Sequence, residues 1–372
     1  MRNAFKALGH NVITCGPHGE NYGGECLSKH DIPLYDKRDK PEYWTYTEIL
    51  AKVKEKYGDI KLDFILQIEP NFHFCGDKPK DIPCFYWAID FHRGGMNLIN
   101  AARKGQFDHI FVALDWAIPY FEANGFKQEQ LSWLPLAFDS TRIPEGLDQI
   151  EPECDIVFLG TTGLRTDWLK ESPPAAKYRW MGCYEDEALN LEYFTFLEGL
   201  NSYGLQKYIG YENSSFEYAE RAEYLIRLSE DFNVRIYDRC DPPQYWQALR
   251  KGKIGFNCSL RYDLSNKIFE IPAAGRLLCT DYLPMLDNIF QAEELGGTSF
   301  PAYHYLSYQT RFQPQFANFD LDYQRLKAMI FEALITYEEK QDEIKETQRW
   351  VLDNHSYLNR AKDIQAWAQL YK

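Results

Sequence analysis

The sequence predicts an α/β protein built as two similar halves, each a parallel sheet covered by helices, with a cleft between them. Three observations predict it. Short apolar runs of strand length alternate with polar or helix-periodic segments along most of the chain, which is the pattern of parallel strands joined by crossover helices. Several of these runs close on an acid (Glu69, Asp90, Asp115, Asp139), and the carboxyl ends of strands are where open α/β sheets bind ligands. The 372 residues exceed one ordinary core, since domains hold roughly 100–200 residues.

In the first half, "MRNAFKALGHNV" reads as a helix stopped by Gly9, then a strand in "HNVITCG" (10–16) and a Gly-rich loop, "GPHGENYGGE". A strand and its loop normally precede such a helix; either the fold dispenses with them or the sequence continues upstream. "YTEILAKVKEKYG" (46–58) has helical spacing. "LDFILQIEP" (62–70), "PCFYWAID" (83–90), "FDHIFVALD" (107–115) and "LSWLPLAFD" (131–139) read as strands. The Pro- and acid-rich stretch 140–154 reads as a linker.

A second series follows. "CDIVFLGTTGLR" (154–165) is a strand entering a Gly/Thr loop, and "FNVRIYD" (232–238), "GKIGFNC" (252–258) and "GRLLCTD" (275–281) are further strands. "EYAERAEYLIRLSE" (217–230) is a helix between them, 321–350 reads as one long amphipathic helix, and "HSYLNRAKDIQAWAQLYK" closes the chain as another. The halves divide as 1–145 and 146–350, with 351–372 as a separate closing helix.

Composition narrows the function classes. Hydrophobic residues are 45% and charged residues 26%, values of a globular chain. The formal charge is 41 minus 55, or −14, with no basic stripe, which argues against nucleic acid as the main partner. Aromatics reach 16% and suit both dense cores and pockets that stack flat ligands. No apolar run approaches the roughly 20 residues of a membrane span, and the first residues lack the apolar core of a signal peptide. Nine cysteines stand singly, with no CxxC pair. Together these predict a reduced, cytoplasmic protein.

Four stretches carry candidate chemistry, each beside a plainer reading. Gly160-Thr161-Thr162-Gly163, with Arg165 two residues on, allows backbone N–H groups to approach an anion and Arg165 to clamp a diphosphate; it also reads as an ordinary strand-to-helix turn. In "NKIFEIPAAGRLLCTD" (266–281), a helix starting near Ser265, capped by Ser265 or Asn266, places Lys267 and Glu270 on one face of its first turn. Glu270 then either favours the helix start or accepts the hydroxyls of a nucleotide ribose, with Lys267 facing phosphates. Tyr237 at the end of "RIYD" can stack on a base or fill a core, and Asn257 and Ser259 can line donor phosphates. In the first half Asp90, His92 and the loop residue His18 are the candidate catalytic groups, with Asp90 also readable as a strand-end acid and His18 as a polar loop residue. No carboxylate pair forms a convincing metal site, so no metal and no cofactor are predicted.

"NKIFEIPAAGRLLCTDYLPMLDNIF", with the later "NHSYLNRAKDI", resembles the C-terminal region of the spore-protein CgeB-like glycosyltransferases. These are GT-B enzymes with two Rossmann-like domains, related to the large family whose retaining members carry an EX7E motif. The matching positions are Lys267, Phe269, Glu270, Gly275, His355, Tyr357 and Arg360. The order of "FYWAID", "FDHIFVALD", "GFKQEQLSWLPLAFD" and "CDIVFLGTTGLR" also fits, so the resemblance spans about residues 60–362. It implies a hexosyltransferase-like enzyme that uses a nucleotide-diphosphate sugar, with UDP-sugars foremost, retaining and without a metal. It implies a donor site in the second half, with Phe269 beside it and Glu270 on the ribose, an acceptor site in the first half, and a last helix that crosses back to the first domain. The acceptor is a saccharide, a protein or a small molecule.

This chain departs from the pattern in two ways. The first Glu of EX7E falls at Tyr262, with Asp263 as the neighbouring acid, and Lys267 stands where the family often has Arg, which alone grips a diphosphate as a bidentate fork. Two other readings therefore stand: a nucleotide-sugar epimerase or hydrolase, and a non-catalytic module that binds a sugar nucleotide or a protein.

Overall fold

The computed structural model describes residues 1–17, 30–34, 44–68, 74–160, 214–237, 240, 242–259, 263–295, 298–301, 304–310 and 319–371. It separates into two compact units, Met1–Asp139 with Tyr357–Lys372, and Ser140–Ser356. Each is an α/β unit built on a parallel sheet. Among the described residues no helix is long and apolar enough to cross a membrane.

The sheet of the first unit has four parallel strands, Ile65–Ile68, Cys84–Ala88, His109–Val112 and Leu131–Trp133, in that spatial order. Cys84–Ala88 and His109–Val112 are buried at every position, as strands covered on both faces must be. Phe85, Trp87, Phe111 and Leu134 pack with Ala4 and Phe5 of the helix Arg2–Ala7 and with Ala361, Ile364 and Ala368 of the helix Tyr357–Leu370. The first helix stops where Gly9 takes φ +87°. The helix Tyr46–Tyr57 is closed at its start by a capping box of Thr45 and Glu48 and at its end by Gly58 at φ +76°. The strand read in 10–16 is reduced to Cys15–Pro17, paired with Ile32–Leu34.

The sheet of the second unit has five parallel strands in the order Val234–Tyr237, Cys154–Leu159, Gly252–Phe256, Leu277–Asp281 and Leu306–Tyr308. One face, carrying Ile156, Phe158, Ile254, Phe256, Leu277 and Cys279, is buried under Tyr224, Leu225 and Leu228 of the helix Ser214–Asp231 and Tyr323, Leu326 and Ile330 of the helix Phe319–Ile335. On the other face Gly255 lets the helix Lys267–Ala273 lie close, since a Cβ there would stand 2.4 Å from Ile271 Cγ2. That helix contains Pro272 and ends after Ala273, ahead of Gly275 at φ +67°.

The long helix read over 321–350 is two helices, Phe319–Ile335 and Gln341–Asn354. At the break the Thr336 hydroxyl and N–H both donate to the Glu332 carbonyl, each at 3.0 Å. Tyr337 turns into the core beside Ile344.

Candidate functional site

The site follows from strand order in the second sheet. After Cys154–Leu159 the chain next forms Val234–Tyr237 on one side of it, then Gly252–Phe256 on the other. The direction of travel across the sheet reverses between Cys154–Leu159 and Gly252–Phe256, and open parallel sheets bind ligands outside the carboxyl ends of strands at such a reversal. Two segments stand there: Gly160 and residues 257–259.

Gly160 donates its N–H to the Tyr237 carbonyl at 2.8 Å and has φ +135°, a conformation that L side chains avoid. A Cβ on it would stand 2.9 Å from Lys267 Nζ and 3.0 Å from Lys267 Cε. The ammonium of Lys267 thus packs against the α-carbon of Gly160; the dihedral requires glycine there, and a Cβ would push the flexible end of Lys267 aside. Lys267 begins the short helix; its N–H donates to Ser265 Oγ at 3.2 Å, while the Asn266 side chain makes no cap bond. The strand-end turn and the cationic helix position, read separately in the sequence, are one place in the fold.

Glu270 follows on the same helix and accepts a hydrogen bond from the Tyr245 hydroxyl. Tyr245 lies on the helix Pro242–Arg250, which connects Val234–Tyr237 to Gly252–Phe256. Burial raises the Glu270 pKa, while Tyr245, Lys267 and Arg142 oppose the rise by favouring the carboxylate. Burial lowers the Lys267 pKa; Glu270 and Asp263 act against that, and Arg221 adds to it. Lys267 and Glu270 are thus a cation and an anion that water stabilises poorly, an arrangement suited to a ligand carrying both phosphates and hydroxyls.

Residues 257–259 are clamped from several sides. Arg221 donates from Nε and Nη2 to the Cys258 carbonyl at 3.0 and 2.5 Å. The Tyr308 hydroxyl donates to the Asn257 carbonyl at 2.8 Å, and the Ser259 N–H to Asp281 Oδ1 at 2.7 Å. The Asn257 amide donates to Thr280 Oγ1 at 2.9 Å and to Ser259 Oγ at 3.2 Å. Asn257, expected to line phosphates, is instead buried with its amide donors spent on the loop. Asp281, the acid that ends the apolar strand, is buried with its pKa pushed up to about 6 by desolvation.

Phe269 lies on the same helix as Lys267 and Glu270. It is fully buried and stacks on His355, centroids 5.3 Å apart and planes at 24°. It seats the helix that carries Lys267 and Glu270. Arg360 donates to the carbonyls of Pro135 at 2.8 Å and Leu136 at 3.2 Å, and the Tyr357 N–H donates to the Phe138 carbonyl at 2.8 Å. These closing-motif residues anchor the last helix.

Of the remaining expected residues, Tyr237 is half-buried at its strand end and contributes its carbonyl to Gly160. Asp90 is half-buried at the start of the helix Phe91–Gly105, in the first unit, with no side-chain cap bond. His18, Thr161, Arg165, Glu69, Tyr262 and the side chain of His92 lie outside the described residues. Among the described residues no three His, Cys, Asp or Glu side chains gather as a metal site.

Two residues of the site were not singled out by sequence. Arg221 had a signal: it falls on the buried stripe of its helix with Tyr224, Leu225 and Leu228, and a charge on such a stripe needs a buried partner. Tyr245 had none, being one aromatic in an ordinary helix-periodic segment.

Residues 200–366, just under half of the chain, match the glycosyl transferase-like family. Among solved structures, sucrose-phosphate synthase from Thermosynechococcus elongatus superposes with a TM-score of 0.52 at 12% identity, covering 99% of this chain and 91% of its own. A glycosyltransferase from Rickettsia africae gives 0.48 at 9% identity over 91% and 84% of the two chains. HepE of Anabaena, crystallised with UDP and glucose, gives 0.44 at 11% over 77% and 71%. A search of curated protein sequences finds no match. The fold, two parallel-sheet α/β units with the first of these neighbours, is that of the GT-B glycosyltransferases.

Proposed function

We propose that this chain is a glycosyltransferase of the CgeB-like kind, binding a nucleoside-diphosphate sugar in its second unit. The observation that supports this best is the packing of Lys267 Nζ against Gly160 at the strand-order reversal, with Glu270 on the same short helix. Lys267, seated against Gly160 at the strand end, receives the diphosphate; Glu270 accepts from the ribose hydroxyls. In transfer, the bond between the anomeric carbon and the β-phosphate oxygen breaks and the diphosphate leaves with the electron pair. A bond forms from the acceptor hydroxyl oxygen to the anomeric carbon, and the hydroxyl proton passes to the departing phosphate in a retaining reaction. Lys267 supplies positive charge where the diphosphate develops its negative charge. The acceptor is assigned to the carboxyl ends of the first unit's strands, where Asp90 stands.

The test is product analysis with UDP-, GDP-, dTDP-, ADP- and CMP-sugars and a saccharide acceptor panel, with and without EDTA. Transfer with retained anomeric configuration, insensitive to EDTA and abolished in Lys267→Met, is the expected result. Release of free sugar with no transfer to any acceptor would favour a hydrolase. Binding without turnover would favour the non-catalytic reading, for which the tyrosine at position 262 is the motivating departure.

A further inference from the structure

We propose that Tyr245 is a positioning residue for the donor site, holding one carboxylate oxygen of Glu270 so that the group meets the ligand in a fixed orientation. The proposal rests on the reading of Glu270 as a donor contact. It starts from the hydrogen bond from the Tyr245 hydroxyl to Glu270 Oε2, which joins two elements on the same side of the sheet. Those elements are tied together elsewhere. Arg250, near the end of the Tyr245 helix, donates to the carbonyls of Ala274 and Gly275 at 3.0 and 3.1 Å, just beyond the end of the Glu270 helix. Arg250 also donates to the Asp148 carbonyl at 2.9 Å, and Arg276 Nε donates back to the Arg250 carbonyl at 2.8 Å. Trp246, beside Tyr245, is buried. The phenol is therefore presented from a support that is itself locked to the helix it serves, which is how a binding group is held to its working geometry.

The chemistry of the pair runs one way. Burial and the neighbouring Glu270 charge push the Tyr245 phenol well above its ordinary pKa, so it remains a donor and does not act as a base. A hydrogen bond to the charged form favours that form, and Tyr245 is the foremost influence opposing the burial-driven rise at Glu270. The other groups that act on this pair are Lys267 on Glu270's own helix, Arg142 from the segment Ser140–Arg142, and Cys240 beside Tyr245. Arg221 and Asp263 act on Lys267. None of them replaces the phenol's proton at Oε2.

The experiment measures affinity against pH for wild type, Tyr245→Phe and Glu270→Gln, using the nucleoside diphosphate that wild type binds among UDP, GDP, dTDP and ADP. In wild type, affinity is lost as pH falls and Glu270 protonates. In Tyr245→Phe that acid limb moves up by about one pH unit and affinity above the limb falls by about threefold or more, as the carboxylate loses its fixed orientation; in Glu270→Gln the limb disappears. An unchanged limb in Tyr245→Phe overturns the proposal. Wild type with 3-fluorotyrosine at position 245, a stronger donor on the same ring, moves the limb down, which covers the case of a poorly folded phenylalanine variant. If no nucleotide binds wild type, the donor-site reading has failed. The carbon-13 titration of the Glu270 carboxyl then decides the Tyr245 pairing separately, an upward shift in Tyr245→Phe supporting it and no shift overturning it.

Discussion

Gly160 and Lys267 form the smallest unit on which the site depends. Replacing Gly160 by alanine places a Cβ 2.9 Å from the ammonium at a backbone φ of +135°. The side chain of Lys267 is displaced, and the dihedral strain alone costs about 1–3 kcal/mol. The expected outcome is a lower melting temperature together with lost nucleotide affinity, read by thermal unfolding with and without ligand. Lys267→Met keeps the packing stem and removes the charge, so it weakens nucleotide binding by about tenfold or more with little change in stability, read by calorimetry. The pairing of these residues was only half legible in the sequence. Lys267 and Glu270 could be placed on one helix face from their spacing, and Gly160 could be placed at a strand end. Their meeting depends on strand order, which no local pattern encodes. The same limit applies to Asn257 and Phe269, whose burial is decided by partners 23 and 86 residues away in sequence, Thr280 and His355 respectively.

At the scale of the element, the loop after Gly252–Phe256 is set by the carboxylate at the end of the next strand. The Asp281 pKa is raised from 3.8 to about 6. A carboxyl with a raised folded pKa contributes stability that is fully present below its unfolded value and lost as pH rises through the folded one. The full shift corresponds to about 3 kcal/mol, of which about 2 kcal/mol falls between pH 4 and pH 6. Asp281→Asn keeps an acceptor for the Ser259 N–H at 2.7 Å and cannot ionise. The variant is expected to match wild type near pH 4, to exceed it above pH 6, and to flatten the pH dependence between, as measured by denaturant unfolding across pH. Elements with periodic apolar patterns and clear caps were the most legible, as with Tyr46–Tyr57 between Thr45 and Gly58. Their lengths were less so. The stretch 321–350 has one continuous amphipathic period, and the break after Ile335, where Tyr337 is buried, leaves no mark in that period.

At the scale of the whole chain, the last helix belongs with the first residues rather than with the segment before it. Trp367 stacks on His109 with centroids 3.8 Å apart, and Arg360 holds the Pro135 carbonyl at 2.8 Å. Removing residues after Ser356 would expose the apolar face of the first sheet that Ala361, Ile364 and Ala368 cover. Hydrogen exchange on that truncation is expected to show lost protection across residues 84–88 and 109–112 and retained protection across 154–159 and 252–256. Arg360→Ala, which leaves two buried carbonyls without their donor, is expected to weaken the same strands by about 1–3 kcal/mol.

The account rests on a nucleotide site made by Gly160, Lys267 and Glu270. Calorimetric titration of wild type, Lys267→Met and Glu270→Gln with UDP-, GDP-, dTDP-, ADP- and CMP-sugars tests it most directly. The account predicts that one nucleotide class binds wild type and that both variants, folded as wild type, bind it at least about tenfold more weakly. Binding of equal strength in all three proteins, or by none, would contradict it.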